Sequence, residues 1–236
     1  MKILVTGASG FLGTHLTEEL VGRGYVVRGM VRDLRKANYL RSLGVEVVYG
    51  DLTKHETLPQ VVKEVDTVIH LATYYTFTSS KKMYQLVNVE GVLSKFMIEG
   101  GEYLVQFAHV KDVVQGFTLV LEKPEVSVSQ TYIVSDEEAY TYREVYEILS
   151  HLLSKEPPKI KLDPRVAKFL LTFTEIYDRL RGGENLILRR SIVDAVTTHR
   201  AYSISKAKKE LGYRPQYDLR KGLEETIEWY RNNGFL

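Results

Sequence analysis

The first twenty residues leave this chain few folds to choose from. Ile3, Leu4 and Val5 form a short unbroken apolar run, the pattern of a strand buried on both faces. Glycines follow at Gly7, Gly10 and Gly13, and the apolar period then changes to four, with Leu12, Leu16 and Leu20 on one stripe of a helix. Strand, glycine turn and helix in that order is the setting a dinucleotide requires. Gly7 permits the tight turn, Gly10 lets the backbone approach a pyrophosphate, and Gly13 lets the helix pack close to the strand. The N–H groups that open the helix then face the phosphates, where the helix dipole favours negative charge. Glycines also fill such turns with no ligand present; their placement between the correct elements favours the nucleotide.

Residues 25–31 read as a second strand ending in Arg32-Asp33. An acid there would accept hydrogen bonds from both ribose hydroxyls, whereas an arginine would pair with a 2′-phosphate. Arg28 and Arg35 add positive charge nearby. Residues 35–43 read as a helix with Gly44 at its C-terminal cap, and 45–49 as a third strand followed by Gly50-Asp51-Leu52. Thr53 and Glu56 have capping-box spacing, opening a helix with Val61, Val62 and Val65 on its apolar face. Residues 68–72 form a fourth strand, whose His70 is expected to be buried and structural rather than a base. A helix is expected over 84–96 and a strand over 130–134. A second capping box, Thr141 and Glu144, precedes a helix bearing Val145, Ile148, Leu149 and Leu152. Asp163-Pro164 sets an N-cap and first turn, and the stripe that follows, Val166, Phe169, Leu170 and Phe173, reads as core. That pattern ends at Gly182-Gly183, and Leu223, Ile227 and Tyr230 line the last helix.

These motifs come in a recognisable order. Thr6-Gly7-x-x-Gly10-x-x-Gly13 resembles the Thr-Gly-x-x-Gly-x-x-Gly of extended short-chain dehydrogenases/reductases of the NAD-dependent epimerase/dehydratase type. Met30-Val31-Arg32-Asp33 resembles the versions that use NADP, and Asp51-Leu52 the pair that lies against the adenine. His70-Leu71-Ala72-Thr73 resembles the family's His-Leu-Ala-Ala, and Asn88-Val89-Glu90-Gly91 its Asn-Val-x-Gly. The resemblance implies an α/β fold, a Rossmann-like doubly wound parallel sheet over residues 1–120 with a small C-terminal substrate-binding region over 121–236. It implies a cofactor site at Gly7, Ser9, Gly10, Phe11, Leu12, Gly13, Arg32, Asp51, Leu52, Leu71, Ala72, Thr73 and Asn88. The cofactor would be NADP or NAD, with Arg32 favouring NADP. The implied reaction is hydride transfer on a nucleotide sugar or another secondary alcohol or ketone. A non-catalytic NAD(P)-binding sensor or regulator is the other function such a fold supports.

In the family, a strand with an active-site serine, a Tyr-x-x-x-Lys helix and a further strand come next. Here Gly100-Gly101-Glu102-Tyr103 runs almost directly into Phe107-Ala108-His109-Val110-Lys111-Asp112-Val113, which resembles a later Phe-x-His-Val-x-Asp-Val. At least two strand–helix units, of roughly 30 residues each, are missing between about Val92 and Glu102. The run Tyr202-Ser203-Ile204-Ser205-Lys206 has the Tyr-x-x-x-Lys spacing, but its surroundings through Gly212-Tyr213-Arg214-Pro215 match the family's C-terminal signature. The catalytic residues are therefore left unassigned.

Composition narrows the partners. A net charge of +2 from 32 basic and 30 acidic residues gives no basis for binding nucleic acid or a membrane. There is no cysteine, which excludes thiolate catalysis, disulfides and cysteine-ligated metals, and no metal site is expected. Met1 leads straight into a core strand, so the expectation is a cytoplasmic protein acting on a small molecule. The oligomeric state stays open, a homodimer being one outcome.

Overall fold

The computed structural model describes residues 1–72, 96–180, 190–234 and 236. Of these, 1–72, 110–131 and 207–213 form one compact unit, and 96–109, 132–206 and 214–236 a second.

The first unit is built on four parallel strands: β1 (Lys2–Thr6), β2 (Val26–Val31), β3 (Glu46–Tyr49) and β4 (Thr67–His70), in the order β3-β2-β1-β4. Helix α1 (Phe11–Gly22) connects β1 to β2, α2 (Asn38–Ser42) connects β2 to β3, and α3 (Leu58–Val62) connects β3 to β4. Helix α4 (Val110–Glu122) packs beside α1. The apolar run of β1 is explained by burial on both faces. Ile3 and Val5 join Leu16 and Leu20 of α1 and Val114 of α4 in one cluster, while Leu4 joins Met30 and Val61 in the other. Each such side chain contributes about 1.5–3 kcal/mol by leaving water. This is the Rossmann-like α/β arrangement.

Several local expectations change. The helix expected over 35–43 is a 3₁₀ turn, Leu34–Ala37, followed by α2, and Gly44 closes it at φ +81°. Thr53 does not cap α3. Asp51 lies closer in sequence and captures both the Thr53 N–H (2.9 Å) and its hydroxyl (2.8 Å), and the helix starts only at Leu58. Val61 is buried, and Leu58 and Val65 pack against its cluster, but Val62 is half-exposed. His70 is exposed, not buried. It shares a face with Val68, half-exposed on β4, which is an edge strand among the described residues.

In the second unit β5 (Phe96–Ile98) pairs in parallel with β8 (Ile160–Leu162), and β6 (Leu104–Val105) pairs antiparallel with β7 (Tyr140–Thr141). The short α5 (Pro124–Ser127) belongs to the first unit; α6 (Tyr142–Leu152), α7 (Pro164–Leu180), α8 (Arg190–Val196) and α9 (Leu219–Asn232) belong to the second. The capping box of α6 forms as expected, with Thr141 and Glu144 each satisfying the other's backbone N–H. Asp163 caps α7 by accepting from Arg165 N at 2.7 Å. The strand expected over 130–134 is not formed among the described residues. The helix expected over 84–96 lies outside the described residues up to 95, and Phe96 opens a strand. Gly182 and Gly183 also lie outside them. The stripe Val166, Phe169, Leu170 and Phe173 was expected in the core and instead faces solvent. The opposite side of α7 carries buried Ala167 and the ion pairs to its neighbour α8, Lys168 with Asp194 and Glu175 with Arg190. Among the described residues no helix is long and apolar enough to cross a membrane.

Candidate dinucleotide-binding site

Sheet register assembles the site. Thr6 lies opposite Met30 on β2 and His70 on β4, and Met30 lies opposite Val48 on β3. The residues that follow these strands therefore share the carboxyl edge of the sheet, where open α/β sheets hold ligands.

At the centre of that edge the backbone leaves β1 through Gly7 at φ +71°, a conformation that favours glycine. Gly10 N donates to Gly7 O at 2.9 Å, and Gly10 caps α1 with extended backbone and no side-chain bond. The first turn of α1 holds no acidic residue. Its opening amides and positive dipole end are therefore left to an external anion. Ser9, Gly10 and Phe11 are exposed at this mouth, and Leu12 is half-buried behind it. Gly13 is the tightest point: a Cβ there would stand 2.1 Å from Gly7 O and 2.9 Å from the Ala8 Cα. At Gly7 a Cβ would meet Ala72 N at 3.1 Å and the Leu71 carbonyl carbon at 3.2 Å. The glycine turn and the exit of β4 thus form one surface without intervening side chains.

Thr6 is the clamp that sequence reading passed over. Its buried hydroxyl accepts from Leu71 N (3.1 Å) and Ala72 N (3.2 Å) and lies 2.9 Å from His70 Nδ1. With two N–H groups donating into it, the hydroxyl has one proton left to give, which goes to Nδ1. Nδ1 of His70 is then the acceptor. Its ring thus anchors the β4 exit. Thr6→Val is expected to destabilise the fold by about 2 kcal/mol by orphaning these groups, and Thr6→Ser by much less, as read by chemical denaturation.

At the ends of β2 and β3 the sequence expectations divide. Arg32 is exposed beside Asp51. The hydrogen bonds from Thr53 hold the Asp51 carboxyl below the usual range, and the Arg32 and Lys54 charges help. It is an acceptor for an amine at neutral pH, with Leu52 exposed next to it. Asp33 is occupied, its carboxylate taking the Arg35 amide (3.0 Å) and guanidinium (3.0 and 3.1 Å). Arg28 does not add charge to the site. It is buried, donating to Val61 O (2.9 Å), Lys63 O (2.7 Å) and Glu46 (2.8 Å). Gly50, named in the sequence without a role, has no room for a side chain, because a Cβ would press to 2.7 Å on Met30. Thr73 and Asn88 lie outside the described residues.

Neither Tyr-x-x-x-Lys spacing yields a catalytic pair. Tyr202 lies ahead of the helical turn that contains Lys206, so the two share no helix face, and Lys206 stands over the Tyr132 ring. A second match, which the motif reading overlooked, is Tyr217 to Lys221. There Tyr217 precedes α9, and the Lys221 ammonium sits 4.2 Å above the centre of the Tyr217 ring and donates to Gln216 O. That is a cation–π contact, not an ammonium beside a phenol oxygen.

The glycine turn, the β4 exit and the register around them coincide with a match to the family model described as NAD dependent epimerase/dehydratase family, over residues 3–94. Among curated relatives, a photosystem II assembly factor Ycf39 from Trieres chinensis is 30% identical over 129 residues, covering 42% of this chain and 40% of the relative. A 4-hydroxy-2-methyl-3-oxo-4-farnesyl-3,4-dihydroquinoline-1-oxide ketoreductase from Stigmatella aurantiaca is 34% identical over 91 residues, 39% of this chain and 27% of that protein. The chain spans well under half the length of these relatives. The fold resembles that of UDP-glucuronic acid 4-epimerase from Bacillus cereus in complex with NAD, at a TM-score of 0.66, 16% identity and complete coverage of both chains.

Proposed function

We propose that the chain binds a nicotinamide dinucleotide across the carboxyl edge of its four-stranded sheet, NADP in preference to NAD. It serves as an oxidoreductase or epimerase on a nucleotide sugar or another secondary alcohol or ketone. The observation that carries this reading is the side-chain-free surface made by the glycine turn, the uncapped start of α1 and the Leu71–Ala72 exit of β4. The α1 amides would hold the diphosphate, the Asp51 carboxylate the adenine amine, and Arg32 a 2′-phosphate. When bound, the nicotinamide supplies hydride chemistry that no side chain offers. Arg32→Ala is expected to weaken NADP by roughly 10–100-fold and to leave NAD within about 3-fold, measured by fluorescence titration.

The missing pair of strand–helix units is where the family keeps its serine, tyrosine and lysine. We infer that the functional protein includes such a segment. The second reading is a dinucleotide-binding protein without chemistry, favoured by the absence of an assembled Tyr/Lys pair among the described residues and by the likeness to an assembly factor. Intact mass of the protein isolated from its source separates the two. A mass well above 27.1 kDa supports the enzyme, and agreement with 27.1 kDa supports the binding protein.

A further inference from the structure

The second unit holds a cavity of about 130 Å³ whose lining includes Phe107, His109, Asp136, Tyr217 and the start of α9. That is near the ~150 Å³ of an engineered cavity that holds one benzene, so there is room for a ring-sized molecule. Phe107, Leu219 and Leu223 supply apolar wall, and the His109 ring stacks on Tyr217 with centres 3.8 Å apart. Phe107, Ala108 and Thr226 are exposed, so the cavity opens to solvent, whereas Asp136 is 6% exposed. The Asp136 carboxylate is only half satisfied. Glu137 N donates to Oδ1 at 2.6 Å and the Tyr140 hydroxyl to Oδ2 at 2.8 Å. Burial, and after it this bond, push the Tyr140 phenol above its usual range, which keeps it a donor. A carboxylate offers about four acceptor positions, so about two remain. Among the described residues no basic side chain pairs with Asp136. A carboxylate drawn out of water without a counter-charge is costly, and its complement is a cation.

We propose that this cavity binds a small organic cation, an ammonium or amidinium group on a ring-sized apolar body, with the charged group on Asp136. The start of a helix favours an anion where its amides are free, and those of α9 are engaged. Leu219 N donates to the Tyr140 hydroxyl at 3.4 Å, Lys221 N to the Asp218 carboxylate at 2.8 Å and Gly222 N to Asp218 O at 3.0 Å. Among the described residues the lining has two carboxylates, Asp136 and Asp218, and no lysine or arginine. Lys221, beside the lining in sequence, turns its ammonium to Gln216 O at 2.8 Å and to the Tyr217 ring. A neutral ligand would leave Asp136 uncompensated, and an anion would add to its charge. All of the lining belongs to the second unit, so the site draws on no residue of the glycine turn.

The test is a titration of the isotope-labelled whole chain with benzamidinium, benzamide and benzoate, followed by NMR at the Gly222 amide and the His109 ring. The three probes share one shape and are cationic, neutral and anionic in turn. The expected result is saturable binding of benzamidinium with Kd of roughly 1 mM, and binding of the other two at least about 10-fold weaker. Asp136→Asn keeps the shape of the side chain and should weaken benzamidinium about 10-fold, to the level of benzamide. Gly222→Leu gives a second readout that does not depend on Asp136→Asn folding. A Cβ at Gly222 meets only His109 Cδ2, at 3.5 Å, and leucine suits a helix better than glycine. That variant should keep its circular dichroism spectrum while its side chain fills the cavity and abolishes binding. No saturable shift with benzamidinium up to ~10 mM overturns the proposal. So does benzamide or benzoate binding as tightly as benzamidinium, undiminished uptake by folded Gly222→Leu, or a folded Asp136→Asn that keeps the preference for the cation.

Discussion

Alanine at Gly13 is expected to remove most of the stability of the dinucleotide-binding unit, roughly 3 kcal/mol or more, and with it all nucleotide binding. The new methyl would stand 2.1 Å from the Gly7 carbonyl oxygen and 2.9 Å from the Ala8 Cα. Both are backbone atoms of the turn itself, so no rotamer change relieves the overlap. α1 would have to move off β1, opening the cluster that holds Leu16 and Leu20 and spoiling the geometry of its own first amides. The same substitution nine residues on should have the opposite sign. A Cβ at Gly22 meets nothing within 4 Å, so Gly22→Ala should be neutral or gain up to about 1 kcal/mol from helix propensity. Denaturant melts of the two variants, measured side by side, separate a packing requirement from a general dislike of change in α1.

Arg28→Met is expected to be the most damaging substitution away from the glycines, at roughly 2–4 kcal/mol. The guanidinium collects the carbonyls of Val61 and Lys63 at the end of α3 and the Glu46 carboxylate on β3, all from a buried position on β2. Methionine fills the space but orphans these acceptors. The pH dependence gives the mechanism away. The Arg28 hydrogen bond, and after it that of Lys2, holds the Glu46 carboxyl below its ordinary value. A depressed folded value means that the stabilisation is complete above the unfolded value and is lost as pH falls through the folded one. The gap between native protein and variant should therefore be widest near neutrality and narrow through the acid carboxylate range. A gap that is flat with pH would show that Arg28 acts by packing alone.

How far the sequence could be read depended on whether local or distant contacts decided a residue's place. Gly7, Gly10 and Gly13 were readable because their roles are fixed within one turn, and the Thr141–Glu144 box because both partners lie in four residues. Gly50 was placed but given no role, because its reason, the Met30 side chain, is a strand away. Arg28 was read as cofactor charge for the same kind of reason, since only the register with β3 and the end of α3 shows that it points inward. Thr53 was misread through competition: Asp51, two residues earlier, took the hydroxyl that would have capped the helix. The α7 stripe shows the limit most clearly. Periodicity identified which residues share a face, and it could not say whether that face meets the core or solvent.

A calorimetric titration of the chain and of Gly10→Leu with NADP and NAD tests the central claim most directly. Gly10 has ordinary extended backbone, and a Cβ there meets only Gly7 O, at 3.1 Å, so the variant should fold while its side chain occupies the place of the diphosphate. The expected result is one saturable heat per chain, tighter for NADP than for NAD, and no heat in the folded variant. Silence from the native chain with both nucleotides, or undiminished binding by Gly10→Leu, would contradict the assignment of the glycine turn as a diphosphate cradle.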